Sequence, residues 1–575
     1  MNLKKSIPIL EWLPNYKASS FKGDLIAGIT VGIVLIPQGI AYALIAGLPP
    51  IYGLYCALLP QLVYTIFGSS RQVSVGPVAM DSLIVATGVS TVAIVGSESY
   101  IAIAILLALM VGILQFLMGV FRLGFIVNFL SKPVILGFTS ALALIIGLNQ
   151  FRNVLGVNFI QSDQIHILVK DFWNQLASLQ MHTTLIGLFS IVLIVVLKRI
   201  NKKLPSALIV VILGVLLLKF FGNSLDQVAI VKEIPSGLPS FGIPVFEYQL
   251  VKELLPIAFT LVMVGFLEII SIGKTLEATQ DVYRVRPNQE LIALGLSNIA
   301  GSLFKAYPST SSFSRSAINQ GSGATTGMAA LISVVMVVIT LLFLTPLFYF
   351  LPKTVLGAII IVAVFGLINI QEGRFLWRTN KLDFWLMLVT FFATLFLGIE
   401  QGIFVGVALS LIVLVFRTSR PHVAELGKVP NADFYRNKSR FEEVIIEQDV
   451  LVFRFDAQIF YANTSYFRDS LDQLVEQKGA ALKLIVLDAE SINSIDSTGI
   501  EMLKERVHYY QKKQITFYFS SVKGPVRDLL FRAGLLNSID RTHFFIRTND
   551  AVEFYKTGDA SKQEKHAKYI HQSYE

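Results

Sequence analysis

The sequence predicts a polytopic α-helical membrane protein that ends in a small α/β domain. Of its 575 residues, 54% are hydrophobic and only 15% are charged, whereas charged residues make up about a quarter of a soluble protein. Long apolar runs, typical of membrane spans, recur as far as about Arg417, and charged residues concentrate after it. We therefore predict a cytoplasmic lead-in (1–23), a membrane domain (24–417), a linker (418–440), an α/β domain (441–557) and a disordered tail (558–575).

The apolar segments form two sets of seven. The first set covers 24–47, 48–67, 77–88, 100–121, 125–148, 184–197 and 204–221. The second set covers 254–273, 291–304, an interrupted segment around Arg315, 328–350, 355–370, 384–397 and 403–416. A helix needs about 20 residues to cross a bilayer, so 77–88 is a half-span, and each set has its broken element third. Because each set has an odd number of segments, the sets have opposite orientations, which predicts an inverted repeat with two half-helices.

Basic residues in the loops predict the orientation of the chain. With the N-terminus inside, the cytoplasmic loops include KRINKK (198–203), QEGRFLWRTNK (371–381) and RTSR (417–420), and the opposite loops are less basic. Positive loops favour the cytoplasmic side, so we predict an integral plasma (inner) membrane protein with both termini and the α/β domain in the cytoplasm. These loops explain the formal charge of +9 better than nucleic-acid binding does. A single cysteine, Cys56, excludes an intrachain disulfide.

Two stretches within the apolar region are rich in small and polar residues. The stretch 307–323 reads YPSTSSFSRSAINQGSG and contains Arg315, and the stretch 74–82 reads SVGPVAMDS. A charge in the hydrocarbon region is costly unless it faces water or a partner. We therefore predict two half-helices whose N-terminal amides and Arg315 face a water-filled cavity and bind an anion. The candidate binding residues are Arg315, Ser314, Phe313 and Ser312 in the second half, and Val75, Gly76, Val78 and Ala79 in the first.

Other polar residues of the membrane domain have alternative interpretations. Gln38 and Tyr42 lie one turn apart on the first span, where they donate hydrogen bonds either to the substrate or to neighbouring helices. Glu268 is a proton-coupling carboxyl, part of a sodium site, or one half of a fixed ion pair with a cation such as Arg315. Asp81 is a second titrating group or stabilises the first turn of its half-helix. Glu400 is interpreted as structural, at a membrane boundary, and Arg315 itself has a structural alternative, in which it satisfies nearby carbonyls or reaches an interface.

Sequence motifs in nearly the whole chain resemble those of one transporter family. PQGIAYALIAGLPPIYGLY (37–55), SVGPVA (74–79) and SFSRSAINQGSG (312–323) are similar to motifs of the sulfate permease (SulP) family of anion transporters, and IDSTGI (495–500) resembles the STAS domain that ends many of those proteins. The resemblance implies 14 membrane segments in two inverted repeats, a core domain that moves against a gate domain, and homodimers. It also implies an anion site between the starts of the third and tenth segments.

The resemblance adds expectations for single residues. A glutamate at the place of Glu268 is similar to that of proton-coupled sulfate carriers, whereas sodium-coupled relatives tend to have an aspartate nearby. Ser497 and Thr498 occupy the place where antagonist-type STAS proteins are phosphorylated, although Asp496 and Ser497 alternatively cap the helix. Cytoplasmic protein partners of the STAS domain are a further expectation. No cluster of Cys and His has metal spacing and no cofactor motif is present, so the sequence predicts a transporter and not an enzyme.

We predict secondary active transport of small inorganic oxyanions, with proton-coupled sulfate uptake by an elevator-like alternating-access mechanism. H⁺ is the expected coupling ion and Na⁺ the alternative. The sequence leaves three other functions open: a bicarbonate or dicarboxylate carrier, either with or without sodium coupling, an uncoupled anion exchanger or channel, and a signalling protein whose membrane part senses anions. A nucleobase carrier is a poor fit, because Arg315 does not suit a neutral ring.

Overall fold

The chain is described here from a computed structural model. The structure describes residues 6–129, 131–160, 162–200, 205–221, 225, 227–278, 283–366 and 368–559. It divides into two compact units, Met1–Ser410 and Leu411–Glu575. The first unit is helical and the second contains a six-stranded sheet. The predicted disordered tail, apart from its first two residues, and the side chain of Glu400 lie outside the described part.

The first set of membrane segments includes one short helix in third place. Its elements are α1 (Ala18–Ile45), α2 (Pro50–Cys56), α3 (Leu59–Phe67), β1 (Val75–Gly76), α4 (Ala79–Val89), α5 (Glu98–Val120), α6 (Lys132–Leu155), α7 (Ile165–Gln175), α8 (Met181–Ile200) and α9 (Ser206–Phe221). Helices α2 and α3 together form one span of 18 residues, whereas α4 has only 11. A helix of that length cannot cross a bilayer, because each residue adds about 1.5 Å, so the predicted half-span is confirmed.

The second set repeats this order. Its elements are α10 (Tyr248–Glu277), α11 (Pro287–Leu303), β2 (Thr310–Ser311), α12 (Phe313–Gly321), α13 (Met328–Ile339), α14 (Lys353–Phe365), α15 (Ile370–Thr379), α16 (Lys381–Leu397) and α17 (Ile399–Ser419). Helix α12 has nine residues and is again third. Within the described residues, nine helices are long and apolar enough to cross a membrane. The polytopic helical fold with two half-helices agrees with the prediction.

Helices from opposite sets pack against each other at glycines. A Cβ atom on Gly295 of α11 would lie 2.5 Å from the backbone nitrogen of Phe116 in α5, and one on Gly28 of α1 would lie 2.5 Å from the carbonyl oxygen of Ala329 in α13. Such contacts leave no room for a side chain. Small residues are common at membrane helix interfaces because they let backbones approach closely. The two sets therefore interleave and form one packed body.

Two fully buried carboxylates anchor the chain next to the half-helices. Glu290, near the start of α11, accepts hydrogen bonds from the Tyr64 hydroxyl (2.8 Å) and from the amides of Ser69 (2.8 Å) and Ser70 (3.2 Å). This contact holds the segment that leads into β1. A buried carboxylate is tolerated when hydrogen bonds replace its water, so Glu290 fixes the position of this segment relative to α11.

Asp24 similarly fixes the position of the connection that follows α12. Its side chain is fully buried in α1 and accepts hydrogen bonds from the amides of Thr325 (2.7 Å) and Thr326 (3.1 Å) and from the Thr326 hydroxyl (2.6 Å). Those amides lie just before α13, where a negative charge also interacts favourably with the helix dipole. Asp24 therefore ties α1 to the connection between α12 and α13.

We expect Asp24→Ala to lower the free energy of unfolding by about 2 kcal/mol, because it leaves the buried amide and hydroxyl of Thr326 and the part-buried amide of Thr325 without this acceptor. The measurement is thermal unfolding of the purified protein in detergent. Asp24→Asn is the matched control, since it keeps one acceptor oxygen and is expected to lose less. Equal stability of the alanine variant and the wild type would contradict this assignment.

The second unit is an α/β domain built on a mixed sheet. Its strands are β3 (Val423–Lys428), β4 (Tyr435–Asn437), β5 (Val450–Phe455), β6 (Leu484–Asp488), β7 (Thr516–Ser520) and β8 (Phe544–Phe545), in the spatial order β4-β3-β5-β6-β7-β8. Its helices are α18 (Thr464–Lys478), α19 (Ser497–Lys512), α20 (Gly524–Arg532) and α21 (Thr548–Thr557). Strands β5 to β8 are parallel, and β3 is antiparallel to β5. The α/β prediction is confirmed.

The structure differs from the predicted linker. Strands β3 and β4 lie within 418–440, and β3 pairs with β5 from Val423 opposite Phe455 to Leu426 opposite Val452. The sheet therefore begins earlier than the prediction of 441 for the start of the domain. The physical reason is that β3 pairs with β5, which follows only after β4 and a further stretch of chain, so the short apolar pattern of β3 alone does not reveal a strand.

Candidate functional site

A short β-bridge joins the starts of the two half-helices. Strand β1 precedes α4, strand β2 precedes α12, and the two strands are antiparallel, with Val75 opposite Ser311 and Gly76 opposite Thr310. The amide of Ser312 extends this pairing by donating to the carbonyl of Ser74 at 3.0 Å. Both helices therefore begin at the same place, although they come from opposite sets of membrane segments.

Several backbone amides at these helix starts have no acceptor. Helix α4 has no side-chain cap, and the amides of Ala79, Met80 and Asp81 make no hydrogen bond within the described residues. The same holds for the amides of Phe313 and Ser314 in α12, whereas the Ser312 hydroxyl caps that helix by accepting from the amide of Arg315 at 3.4 Å. Free amides at a helix N-terminus are donors for an anion.

Arg315 is fully buried and spans both half-helices. Its Nε donates to the Ser74 hydroxyl at 3.3 Å and its Nη1 donates to the carbonyl of Pro77 at 2.8 Å. Its Nη2 is buried and has no hydrogen-bond partner. Two nitrogens of Arg315 thus bind neighbouring protein groups, as the structural alternative predicted. The third nitrogen, Nη2, remains without a partner. Because an unpaired buried donor is costly, this nitrogen is suited to an anion that enters the site.

Two of the predicted amide donors are already occupied. The amide of Val75 donates to the side-chain oxygen of Gln61 at 2.5 Å, and the amide of Ser312 donates to Ser74. The first contact holds β1 against α3 and the second extends the pairing of β1 with β2, and the sequence predicted neither contact. Contrary to the prediction, neither of these two amides is therefore available to bind an anion. The amide of Met80 has no acceptor among the described residues and is a further donor, which no polar side chain marks in the sequence.

Two carboxylates lie near the guanidinium without a direct partner. The Oε2 atom of Glu268 and the Oδ1 atom of Asp81 are buried and have no hydrogen bond. Glu268 is close enough to Asp81 and to Arg315 for their charges to interact. Among the described residues, however, no salt bridge joins Glu268 to Arg315. The fixed ion pair considered from the sequence is thus absent, and the site combines one cation with two carboxylates that do not contact it.

A cavity of about 490 Å³ reaches the Glu268 carboxyl and both helix starts, and neither Arg315 nor Asp81 is among its described lining residues. Its wall includes Met80 at the start of α4, Phe313 at the start of α12 and Glu268 of α10. At another part of the wall, Lys132 and Glu372 form a salt bridge. Phe313 is 42% exposed and faces this space. The cavity therefore gives a small solute access to both helix starts and to the Glu268 carboxyl.

The predicted residues of α1 lie deeper in the protein. Gln38 is 4% exposed and its Oε1 has no partner, while Tyr42 is 6% exposed and close enough to interact with the charge of Arg315. Neither residue lines the cavity. The structure also shows contacts that the sequence analysis missed, above all Ser74, which accepts from Arg315. Ser74 lies in the SVGPVA motif, so its proximity to the first half-helix was the available signal.

Comparison with known proteins gives the same two-part division. Residues 21–390 match the model of the Sulfate permease family, and residues 443–551 match the STAS domain. The chain belongs to the sulfate permease family. It is 39% identical over 564 residues to "Sulfate transporter 4.1, chloroplastic" of Arabidopsis thaliana, covering 95% of this chain and 82% of that protein. It is 33% identical to "High affinity sulfate transporter 2" of Stylosanthes hamata, covering 96% and 87%.

Solved structures of anion transporters share the fold. The murine Solute Carrier 26 family member A9 anion transporter in the inward-facing state superimposes with a TM-score of 0.89 at 27% identity, over 96% of this chain and 94% of that one. The transmembrane domain of a cyanobacterium bicarbonate transporter, BicA, gives a TM-score of 0.60 at 21% identity over 69% of this chain and 98% of that one, a likeness of fold alone. The chain is thus an integral membrane transporter and not an enzyme.

In the STAS domain, two exposed hydroxyls stand at a helix start. Asp496 caps α19, since its side chain accepts from the amide of Gly499 at 2.8 Å and from that of Tyr461 at 2.9 Å. Ser497 and Thr498 are the first residues of α19 and both are exposed. The cap is therefore Asp496, and Ser497 and Thr498 are exposed residues at the start of α19.

Proposed function

We propose that the protein is a secondary active transporter that takes up sulfate together with protons. The observation that carries the proposal is the meeting of free helix-start amides with the unpartnered Nη2 of Arg315, at two helix starts whose residues Met80 and Phe313 line a cavity. This set of donors is suited to the oxygens of a small oxyanion. Sulfate is the first candidate because the similar proteins from Arabidopsis thaliana and Stylosanthes hamata are named as sulfate transporters.

In this proposal the anion is held mainly by the backbone. The amides of Phe313 and Ser314 and the Ser314 hydroxyl donate from α12, and the amides of Ala79 and Met80 donate from α4. Arg315 supplies the positive charge, which the helix dipoles reinforce. Gln38 and Tyr42 contribute from α1 when the bound anion has moved inward from the cavity. Gly76 and Val78 shape the turn that aims the start of α4 at the anion.

Glu268 is proposed as the proton-coupling group. A divalent anion that enters against a negative-inside potential costs about 2.3 kcal/mol per charge per 100 mV. Proton uptake by Glu268 offsets this cost, because it neutralises a carboxylate that would repel the anion. The position of Glu268 on the cavity wall gives a proton access to it. A sodium ion at the same carboxyl is the alternative.

Transport then requires that the site open to the two sides in turn. The cavity touches Lys132 at the start of α6 and Glu372 of α15, which the topology assigns to the cytoplasmic side, so this form is inward-facing. We propose that the half-helices and the helices packed on them move as one body against the others, in an elevator-like step.

The remaining proposals are a plasma (inner) membrane location, cytoplasmic termini, a homodimer, and STAS partners controlled by phosphorylation of Ser497 or Thr498.

The test is uptake of radiolabelled sulfate by proteoliposomes that contain the purified protein, with and without an inward proton gradient. We expect the gradient to accelerate uptake, and we expect unlabelled sulfate to compete better than bicarbonate or dicarboxylates. Better competition by bicarbonate, or acceleration by sodium only, would identify the alternative carrier. Channel activity would appear as currents far above a carrier's turnover, and indifference to every gradient would contradict coupled transport.

A further inference from the structure

A second cavity, of about 160 Å³, lies at the C-terminal end of α1. Its wall is formed by Ala41, Leu44 and Ile45 of α1 and by residues of α6 and α14. Ile45 follows Gln38 by about seven positions in α1, which corresponds to about 10 Å of helix. The cavity therefore lies further along the same helix as the proposed anion site. By the topology given above, it faces the side opposite to the cavity that contains Glu268.

Among the described residues, two cations line this second cavity and no carboxylate does. Arg152 is in the last turn of α6 and Lys353 is the first residue of α14. Lys232 is close enough to add to their mutual repulsion. Neither Arg152 nor Lys353 has a hydrogen bond or a salt bridge from its side chain to any described residue. Both side chains are only partly exposed, so their charges lack much of the water that would stabilise them.

The neutral groups of the wall add to the positive potential. Lys353 stands at the N-terminus of α14, where the helix dipole is positive, although its own amide donates to the carbonyl of Ala229 at 2.8 Å. The side-chain nitrogen Nδ2 of Asn153 donates to the side-chain oxygen of Gln150 at 2.9 Å, which leaves the Gln150 side-chain nitrogen as a donor. A cavity with two unpaired cations, a helix N-terminus and an amide donor is complementary to a small anion.

We propose that this cavity is a second, outer binding site for a small divalent oxyanion such as sulfate, formed by Arg152 and Lys353. The proposal rests on the proposed transport function for the identity of the anion. An anion held there lies along the path of α1 and is passed to the central site when that site faces outward. The outer site raises the local concentration of anion at this mouth, as a positively charged cleft does for a negatively charged substrate.

The first test measures the two faces of the transporter separately. In oriented proteoliposomes we expect the double variant Arg152→Gln/Lys353→Gln to raise the KM for sulfate on the outer face about tenfold, with kcat unchanged, because steering by charge affects association. The KM on the cytoplasmic face is expected to stay the same. Arg152→Lys/Lys353→Arg keeps both charges and should retain most of the affinity. Lys170→Gln, an exposed charge change on α7, is the matched control and should have no effect.

The second test is independent of transport. Equilibrium binding of radiolabelled sulfate to the purified full chain is expected to show two ions per protein, and one in the Arg152→Gln/Lys353→Gln variant. Two ions bound by that variant, or an equal loss of affinity on both faces, would overturn the outer site. If the wild type binds two ions but does not transport sulfate, the proposed function fails and the outer site stands.

Discussion

Arg315→Ala is expected to reduce sulfate uptake by a hundredfold or more. The substitution removes the free Nη2 donor and the only cation at the two helix starts within the described residues. A hydrogen bond to a charged group contributes about 1.5–3 kcal/mol, which corresponds to roughly 10- to 150-fold in affinity, and the loss of the bound anion's counter-charge adds to this. The measurement is initial uptake of radiolabelled sulfate into proteoliposomes across a range of concentrations.

The same substitution also has a structural cost. Without the guanidinium, the Pro77 carbonyl and the Ser74 hydroxyl lose their donor. Arg315→Lys therefore serves as the comparison, because lysine keeps the charge but cannot donate in both directions as the planar guanidinium does. We expect the lysine variant to retain weak transport with a raised KM. Wild-type uptake by a correctly folded alanine variant, as judged by its thermal unfolding and elution, would refute the anion site.

Glu268→Gln is expected to abolish the acceleration of sulfate uptake by an inward proton gradient. Glutamine has nearly the same shape as protonated glutamate but cannot release a proton, so the site is held in its proton-loaded form. Gradient-driven accumulation should fall at least tenfold. Exchange of internal for external sulfate, which needs no net proton movement, should persist. This split between accumulation and exchange is what distinguishes a coupling residue from one that merely supports the fold.

Asp81 offers a matched control for the coupling experiment. Asp81 is 2% exposed, it also has a carboxylate oxygen without a hydrogen bond, and it lies near Glu268. If Glu268 alone carries the proton, Asp81→Asn should keep its response to the gradient. A normal proton response in Glu268→Gln together with a lost response in Asp81→Asn would transfer the role to Asp81. Loss of exchange in both variants would instead indicate a structural role for the pair.

The sequence predicted the membrane fold because its signals are local. Serine, glycine, proline and Arg315 interrupt an apolar stretch, and each interruption appears within a window shorter than one span. The third place of both half-helices followed from counting the segments. The structure then showed the same short helices, α4 and α12, in these positions.

Contacts between distant parts of the chain were beyond the sequence. Asp24 and Glu290 each accept several hydrogen bonds from residues more than 200 positions away, and nothing near them in the sequence identifies the donors. The pairing of β1 with β2, which the amide of Ser312 extends, and the pairing of β3 with β5 are of the same kind. Polar side chains in the sequence indicated where the half-helices lie. Tertiary contacts, which the sequence does not reveal, determine which of their amides lack an acceptor.

The wide separation in sequence between Ser74 and Arg315 has a consequence for biosynthesis. These residues are 241 positions apart, and at roughly 5–20 residues per second the ribosome takes about 12–48 s to synthesise the intervening chain. During this interval the nascent chain holds β1 in the translocon or the bilayer without its partner strand. Unpaired backbone groups are costly in lipid, so insertion of the first repeat depends on temporary shielding, by water or by a chaperone, until the second repeat emerges.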